Sequence, residues 1–129
     1  MRAAFLRERR AFARAFPGMA PVRGAELVVE DRRCSAGGCG FRDVAWATWG
    51  PPRVHLLRRA LSDLAPENIV GLIRHELGHL ADRDPWGPGS EQRADDLAES
   101  ATGERVRYDR RDVQTVGRGR YPRPTNLPP

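Results

Sequence analysis

Three residues of one short stretch have the types and spacing for joint chemistry. His75, Glu76 and His79 lie within Ile69 to Asp82, which reads IVGLIRHELGHLAD. At about 100° per residue, Ile69, Leu72, Ile73, Leu77 and Leu80 share one broad apolar face, so the stretch predicts an amphipathic helix. His75 and His79 stand one turn apart at an edge of that face. Two neutral imidazoles at this spacing can chelate one Zn²⁺. The glutamate beside them can act as general base toward a metal-activated water.

A hydrolytic zinc site takes three protein ligands and keeps one position open. A histidine six residues past His79, as metzincins have, is excluded because Pro85 stands there. His55 is the one other histidine; a strand could bring it to the helix, but it is the less favoured choice. Glu91 is the better candidate, because it opens a helix after a tight loop rich in Pro and Gly. Asp95, four residues later on the same face, could accept a hydrogen bond from the second ring nitrogen of a ligating histidine and so fix its tautomer. Asp82, Asp84 and Asp96 remain alternative carboxylates. Stabilisation of an oxyanion or contact with substrate could come from His55, Arg107, Tyr108 or Tyr121, and the sequence does not choose among them.

These residues need elements to position them. Met1 to Phe16 predicts a first helix, with Phe5, Phe12 and Phe16 in an apolar stripe between arginines, ended by Pro17-Gly18. Ala25 to Glu30 predicts a strand, Asp31 to Gly40 a loop, and Phe41 to Trp49 and Arg53 to Leu57 two further strands joined by Gly50-Pro51-Pro52. The proline pair suits an edge, so the third strand is expected to be an edge able to pair with an extended peptide. Trp46 and Trp49 are expected to pack over the sheet. Arg58 to Ala65 reads equally as a helical turn or a loop. Pro66 fits the first position of the motif helix, and Ser90 fits the N-cap of a helix over Glu91 to Ala101. Glu104 to Val116 reads as a short helix or strand. The chain therefore divides into one domain, 1–116, and an Arg/Pro/Gly-rich tail, 117–129, with no core-forming pattern.

Composition narrows the class. The chain has 129 residues, enough for one domain with a modest core, and no apolar run approaches the roughly 18 residues of a membrane span. Its first residues carry arginines throughout and do not read as a signal peptide, so a cytoplasmic protein without a membrane partner is expected. Net charge is +5, and all 22 basic residues are arginine. That usage is most simply a compositional bias; nucleic-acid binding through the basic tail is a secondary reading. Cys34 and Cys39 supply half of a structural zinc site at most, and a reducing compartment disfavours a permanent disulfide between them.

HELGHLAD followed by EQRADDLA resembles the H-E-x-x-H and E-x-x-A-D pattern of gluzincin metallopeptidases, and among the small soluble ones the ImmA/IrrE family. The resemblance covers about Ile69 to Ala98. It implies that His75, His79 and Glu91 hold zinc, that Glu76 is the catalytic base and that Asp95 supports a ligand. It implies an α+β minimal zincin-like fold, a small twisted, mainly three-stranded sheet packed on an active-site helix and a glutamate helix. The implied activity is zinc-dependent peptide-bond hydrolysis. Its substrate would be a polypeptide, and small domains of this kind often act on one partner protein. The alternative is a regulatory module that keeps the scaffold and binds a protein or nucleic acid, as in phage or mobile elements. The short span from His79 to Glu91 implies a stripped-down domain. SprT-type proteases are less similar, because they use a third histidine after the motif.

Overall fold

A computed structural model describes residues 1–35, 38–40 and 44–107. Its element order is α1 (Arg2–Ala15), α2 (Ala20–Arg23), β1 (Glu26–Glu30), β2 (Arg33–Ser35), β3 (Gly38–Gly40), β4 (Ala45–Thr48), β5 (Arg53–Leu57), α3 (Arg58–Asp63), α4 (Pro66–Ala81) and α5 (Ser90–Thr102). The class is α+β, with a three-stranded mixed sheet and a separate short hairpin.

The centre of the molecule is α4. Pro66 occupies its first turn, where a missing N–H costs nothing, and Glu67 adds a favourable negative charge there. Ile69, Leu72, Ile73, Leu77 and Leu80 are all buried, and so are the residues on most of the remaining circumference. A helix covered on nearly every side must have partners all round. Here they are β4 and β5 of the sheet, α1, α2, α3 and α5. Phe5 and Phe12 of α1 fill the core, and Arg74 of α4 makes two contacts to the buried Glu8 of α1, at 2.9 and 3.3 Å.

The sheet order is β1-β5-β4, with β1 parallel and β4 antiparallel to β5. This corrects the expectation that Arg53 to Leu57 forms an edge: β5 is the central strand, and β4 is an edge. The prolines lie in the turn before β5, outside the ladder, so their missing N–H groups do not limit pairing there. Val54 and Leu56 reach the core, while His55 on the opposite face is covered by Trp46, whose ring stacks on it at 5.1 Å.

Other boundaries also differ from expectation. The expected loop over Asp31 to Gly40 contains the β2–β3 hairpin. The strand expected over Phe41 to Trp49 is observed only at Ala45–Thr48, residues 41–43 lying outside those described. Arg58–Asp63 is helical, and α2 was not anticipated. Ser90 is the first residue of α5 rather than its cap; Gly89 holds that position with φ 76°, a left-handed conformation that glycine adopts without steric cost. Glu104 to Arg107 is neither helix nor strand, while the rest of the segment expected to reach Val116, the 117–129 tail, Tyr108 and Tyr121 lie outside the described residues.

Candidate metal centre

Helix α4 carries His75, Glu76 and His79, all buried. Helix α5 approaches it where α4 has no side chain. A Cβ added at Gly78 would lie 2.7 Å from the carbonyl carbon and 2.9 Å from the Cα of Ala94, so only glycine permits the two backbones to meet there. That contact fixes the facing turn of α5, with Glu91 three residues before Ala94 and Asp95 one after it. Arg93 ties down the loop between the helices. Arg93 donates to Asp82 Oδ2 at 3.1 Å, to the Pro88 carbonyl at 2.5 Å and to the Asp84 carbonyl at 2.7 Å.

Three candidate ligand atoms converge as a result. His75 Nε2 and His79 Nε2 are 3.1 Å apart; Glu91 Oε2 lies 2.8 Å from the first and Glu91 Oε1 3.2 Å from the second. His75 Nδ1 lies 2.6 Å from Asp95 Oδ1, and since a carboxylate only accepts, the ring proton belongs on Nδ1. His75 Nε2 then presents a lone pair toward a carboxylate oxygen. Two acceptors facing each other at that distance repel unless a proton or a cation lies between them.

The spacing fits a metal ion. For bonds of about 2.0–2.1 Å, two ligand atoms of a tetrahedral zinc site are about 3.3 Å apart. The observed 2.8–3.2 Å separations lie just inside that value. The donor set, two imidazoles and one carboxylate, also matches that of catalytic zinc sites. Among the described residues, His75, His79 and Glu91 form the one group of this kind. The acidic surroundings favour a positive charge at this point, a proton as well as a metal ion. Burial opposes a charge on His75, but Glu76, Asp95 and Glu91 outweigh it and raise its pKa above the ordinary histidine value. His79 is lowered, first by burial and then by His75, with Glu91 offsetting only part.

The other candidates lie elsewhere. His55 has both ring nitrogens engaged, Nε2 with Thr48 Oγ1 at 2.7 Å and Nδ1 with Glu30 Oε1 at 3.0 Å, so it does not complete the ligand group. Asp82 and Asp84 belong to the loop held by Arg93, and Asp96 accepts from Gln92 at 3.0 Å. Arg107 lines a separate hollow of about 1030 Å³ with Asn68, Gly71 and Arg74 and does not line the cleft that holds Glu76.

That cleft, of about 360 Å³, runs over His75, Glu76, His79 and Glu91 and is bounded by β4 and the Pro85-Trp86 loop. The edge strand contributes backbone. Leu57 N–H donates to the Val44 carbonyl at 2.8 Å, so the pairs 44:57, 46:55 and 48:53 exchange the ladder bonds. By alternation, the N–H and C=O groups of Ala45 and Ala47 point away from β5 along the cleft wall. Sequence reasoning assigned this edge to the wrong strand and did not see Trp86 as part of the cleft. Its one signal was position: an aromatic residue between Pro85 and Gly87 in the loop that leads to Glu91. Among the described residues, no helix is long and apolar enough to cross a membrane. Comparison with protein-family models, curated proteins and solved structures returns no match, so the site is read from its own geometry.

Proposed function

We propose that this domain is a minimal zincin-like, gluzincin-type peptidase that hydrolyses peptide bonds with zinc held by His75, His79 and Glu91. One observation carries the reading: three ligand atoms converge on one point while Asp95 sits behind His75 on its far nitrogen. The order of parts matches a ligand set with an orienting carboxylate. Zinc bound there would supply Lewis acidity toward the scissile carbonyl and activate a water.

The protein's own groups account for the remaining chemistry. Glu76 lies in the same cleft as the ligands, and its carboxylate takes the proton of the attacking water and returns it to the leaving amine. Asp95 keeps the His75 proton on Nδ1, which leaves Nε2 free to act as a ligand. Ala45 and Ala47 offer outward backbone groups that can pair with an extended polypeptide, so the substrate class is a peptide chain.

The deciding experiment is metal analysis of the purified protein together with Glu76→Gln. Stoichiometric zinc in both proteins, with hydrolysis of a casein or peptide-library substrate lost only in the variant, is the expected result. A protein that neither retains nor takes up zinc would overturn the site. Bound zinc without cleavage of any substrate would point instead to a regulatory module on the same scaffold.

A further inference from the structure

The cleft has an aromatic rim that neither metal binding nor the base step uses. Trp49, immediately after β4, and Trp86, in the loop before α5, pack against each other with ring centroids 4.7 Å apart and planes tilted by 56°, and so present one joint aromatic surface. Both line the cleft that holds His75, Glu76 and Glu91. Trp86 is 80% exposed, while among the described residues the only other exposed large apolar side chain is Met1. A tryptophan so placed contributes little to the core and leaves a large apolar surface in water.

The loop that carries it is nevertheless tightly held. Arg93 ties its two ends through the Asp84 and Pro88 carbonyls, Asp84 N–H donates to Asp82 Oδ1 at 2.9 Å, and Gly87 N–H closes a turn onto the Asp84 carbonyl at 3.1 Å. The exposed indole is therefore displayed on a fixed support, which lowers the entropy lost when something binds it. Its position also limits what can bind. A chain pairing with the outward groups of Ala45 and Ala47 runs along β4 toward Trp49, so a side chain of that same chain arrives at the indole pair. The cleft is at the small end of ligand sites, with room for a short peptide segment.

We infer that Trp49 and Trp86 together form an aromatic platform on which a large apolar side chain, aromatic for preference, packs close to the scissile bond of the polypeptide substrate. This rests on the peptidase reading of the cleft. An aromatic side chain offers the tilted indole pair both apolar area and a favourable ring-on-ring geometry. Burial of a phenylalanine-sized group corresponds to roughly ten- to a hundredfold in affinity.

The test separates the aromatic platform from the chemistry. Zinc-loaded Glu76→Gln protein is titrated with acetyl-Ala-Ala-Phe-Ala-Ala-amide and with acetyl-penta-alanine amide while the indole N–H signals of Trp49 and Trp86 are followed by NMR. Saturable shifts of both indoles with the Phe peptide, at least about tenfold tighter than with the alanine peptide, are expected. In active protein, Trp86→Ala should bring the ratio of kcat/KM for Phe over Ala peptides toward one, and Trp86→Phe should restore most of it. Equal affinity for both peptides, or indole signals that neither peptide moves, would overturn the platform even if hydrolysis is found. Preferential Phe binding without any hydrolysis would keep the platform and overturn the peptidase.

Discussion

Nδ1 of His75 lies 2.6 Å from Oδ1 of Asp95, while the opposite nitrogen of the same ring faces Glu91 at 2.8 Å. One imidazole thus bridges two carboxylates that stand one turn apart on α5. The two contacts have different consequences. Asp95 fixes the tautomer, and Glu91 shares the space a metal would fill.

Asp95→Ala should therefore weaken zinc binding about 10- to 100-fold, the usual effect of removing such a supporting carboxylate. Asp95→Asn, whose side-chain oxygen can still accept the Nδ1 proton, should lose less. Competition with a chromophoric chelator reads both. Equal affinity in all three proteins would mean that Asp95 does not orient a ligand.

A second expectation concerns Gly78. Alanine in a helix interior is favoured over glycine by about 1 kcal/mol. Overpacking typically costs about 1–3 kcal/mol and sometimes more, and the atoms in the way are the backbone of Ala94, which cannot rotate aside. Overpacking wins, and Gly78→Ala should lose about 2 kcal/mol or more in urea unfolding. Because the displaced helix carries Glu91, zinc affinity should fall with it. A variant as stable as the parent would show that α4 and α5 do not need this contact.

The pH dependence of metal uptake has a definite sign. Ligand histidines must shed their protons, and the His75 proton is held more tightly than usual because Glu76, Asp95 and Glu91 together outweigh the effect of burial. Zinc affinity should accordingly be full well above the ordinary histidine value of 6.5 and decline as pH falls through the raised pKa of His75. In the metal-free protein the same raised pKa stabilises the fold below 6.5, and that contribution is lost as pH rises through the folded-state value. His79, with its lowered pKa, acts oppositely: its contribution is present above 6.5 and is lost as pH falls. Zinc titrations at pH 8 and pH 6 read the metal term. An affinity unchanged between them would remove His75 as a ligand.

How much of this could be read from the chain differs element by element. Helix α4 was legible because its apolar residues recur with the helical period and Pro66 marks its start. Glu91 and Asp95 were legible as candidates because they share a face of the next helix. The position of β5 was not, since strand order is set by pairing between distant segments. The prolines misled because they sit in the turn and not in the ladder. The β2–β3 hairpin was missed because three-residue strands flanked by glycine show no alternation. Trp86 escaped notice because its place on the cleft depends on how Arg93 folds a loop, and periodicity says nothing about that.

The contact between Glu8 and Arg74 gives the last expectation. Glu8 is 3% exposed, and Arg74 approaches it through both Nε and Nη2, with Nη1 reaching the exposed Glu104 at 3.0 Å. This fork joins α1 to α4 one residue before His75, and hydrogen bonding to Glu8 is the main reason that the Arg74 pKa is raised. Breaking a buried pair from one side typically costs about 3–5 kcal/mol when the remaining charge stays in a poorly solvated place. Among the described residues, Arg74→Ala leaves the buried Glu8 with only the longer 3.6 Å contact to the exposed Arg7 and should cost about 3 kcal/mol, while Glu8→Ala should cost less, because Arg74 is only partly buried and keeps Glu104. Replacing both residues with apolar ones of similar size should restore most of the loss, since two desolvated charges disappear together. Urea midpoints of the two single variants and the double variant measure the coupling. An Arg74→Ala cost under about 1 kcal/mol, the range of a surface pair, would mean that apolar packing alone holds α1 against α4.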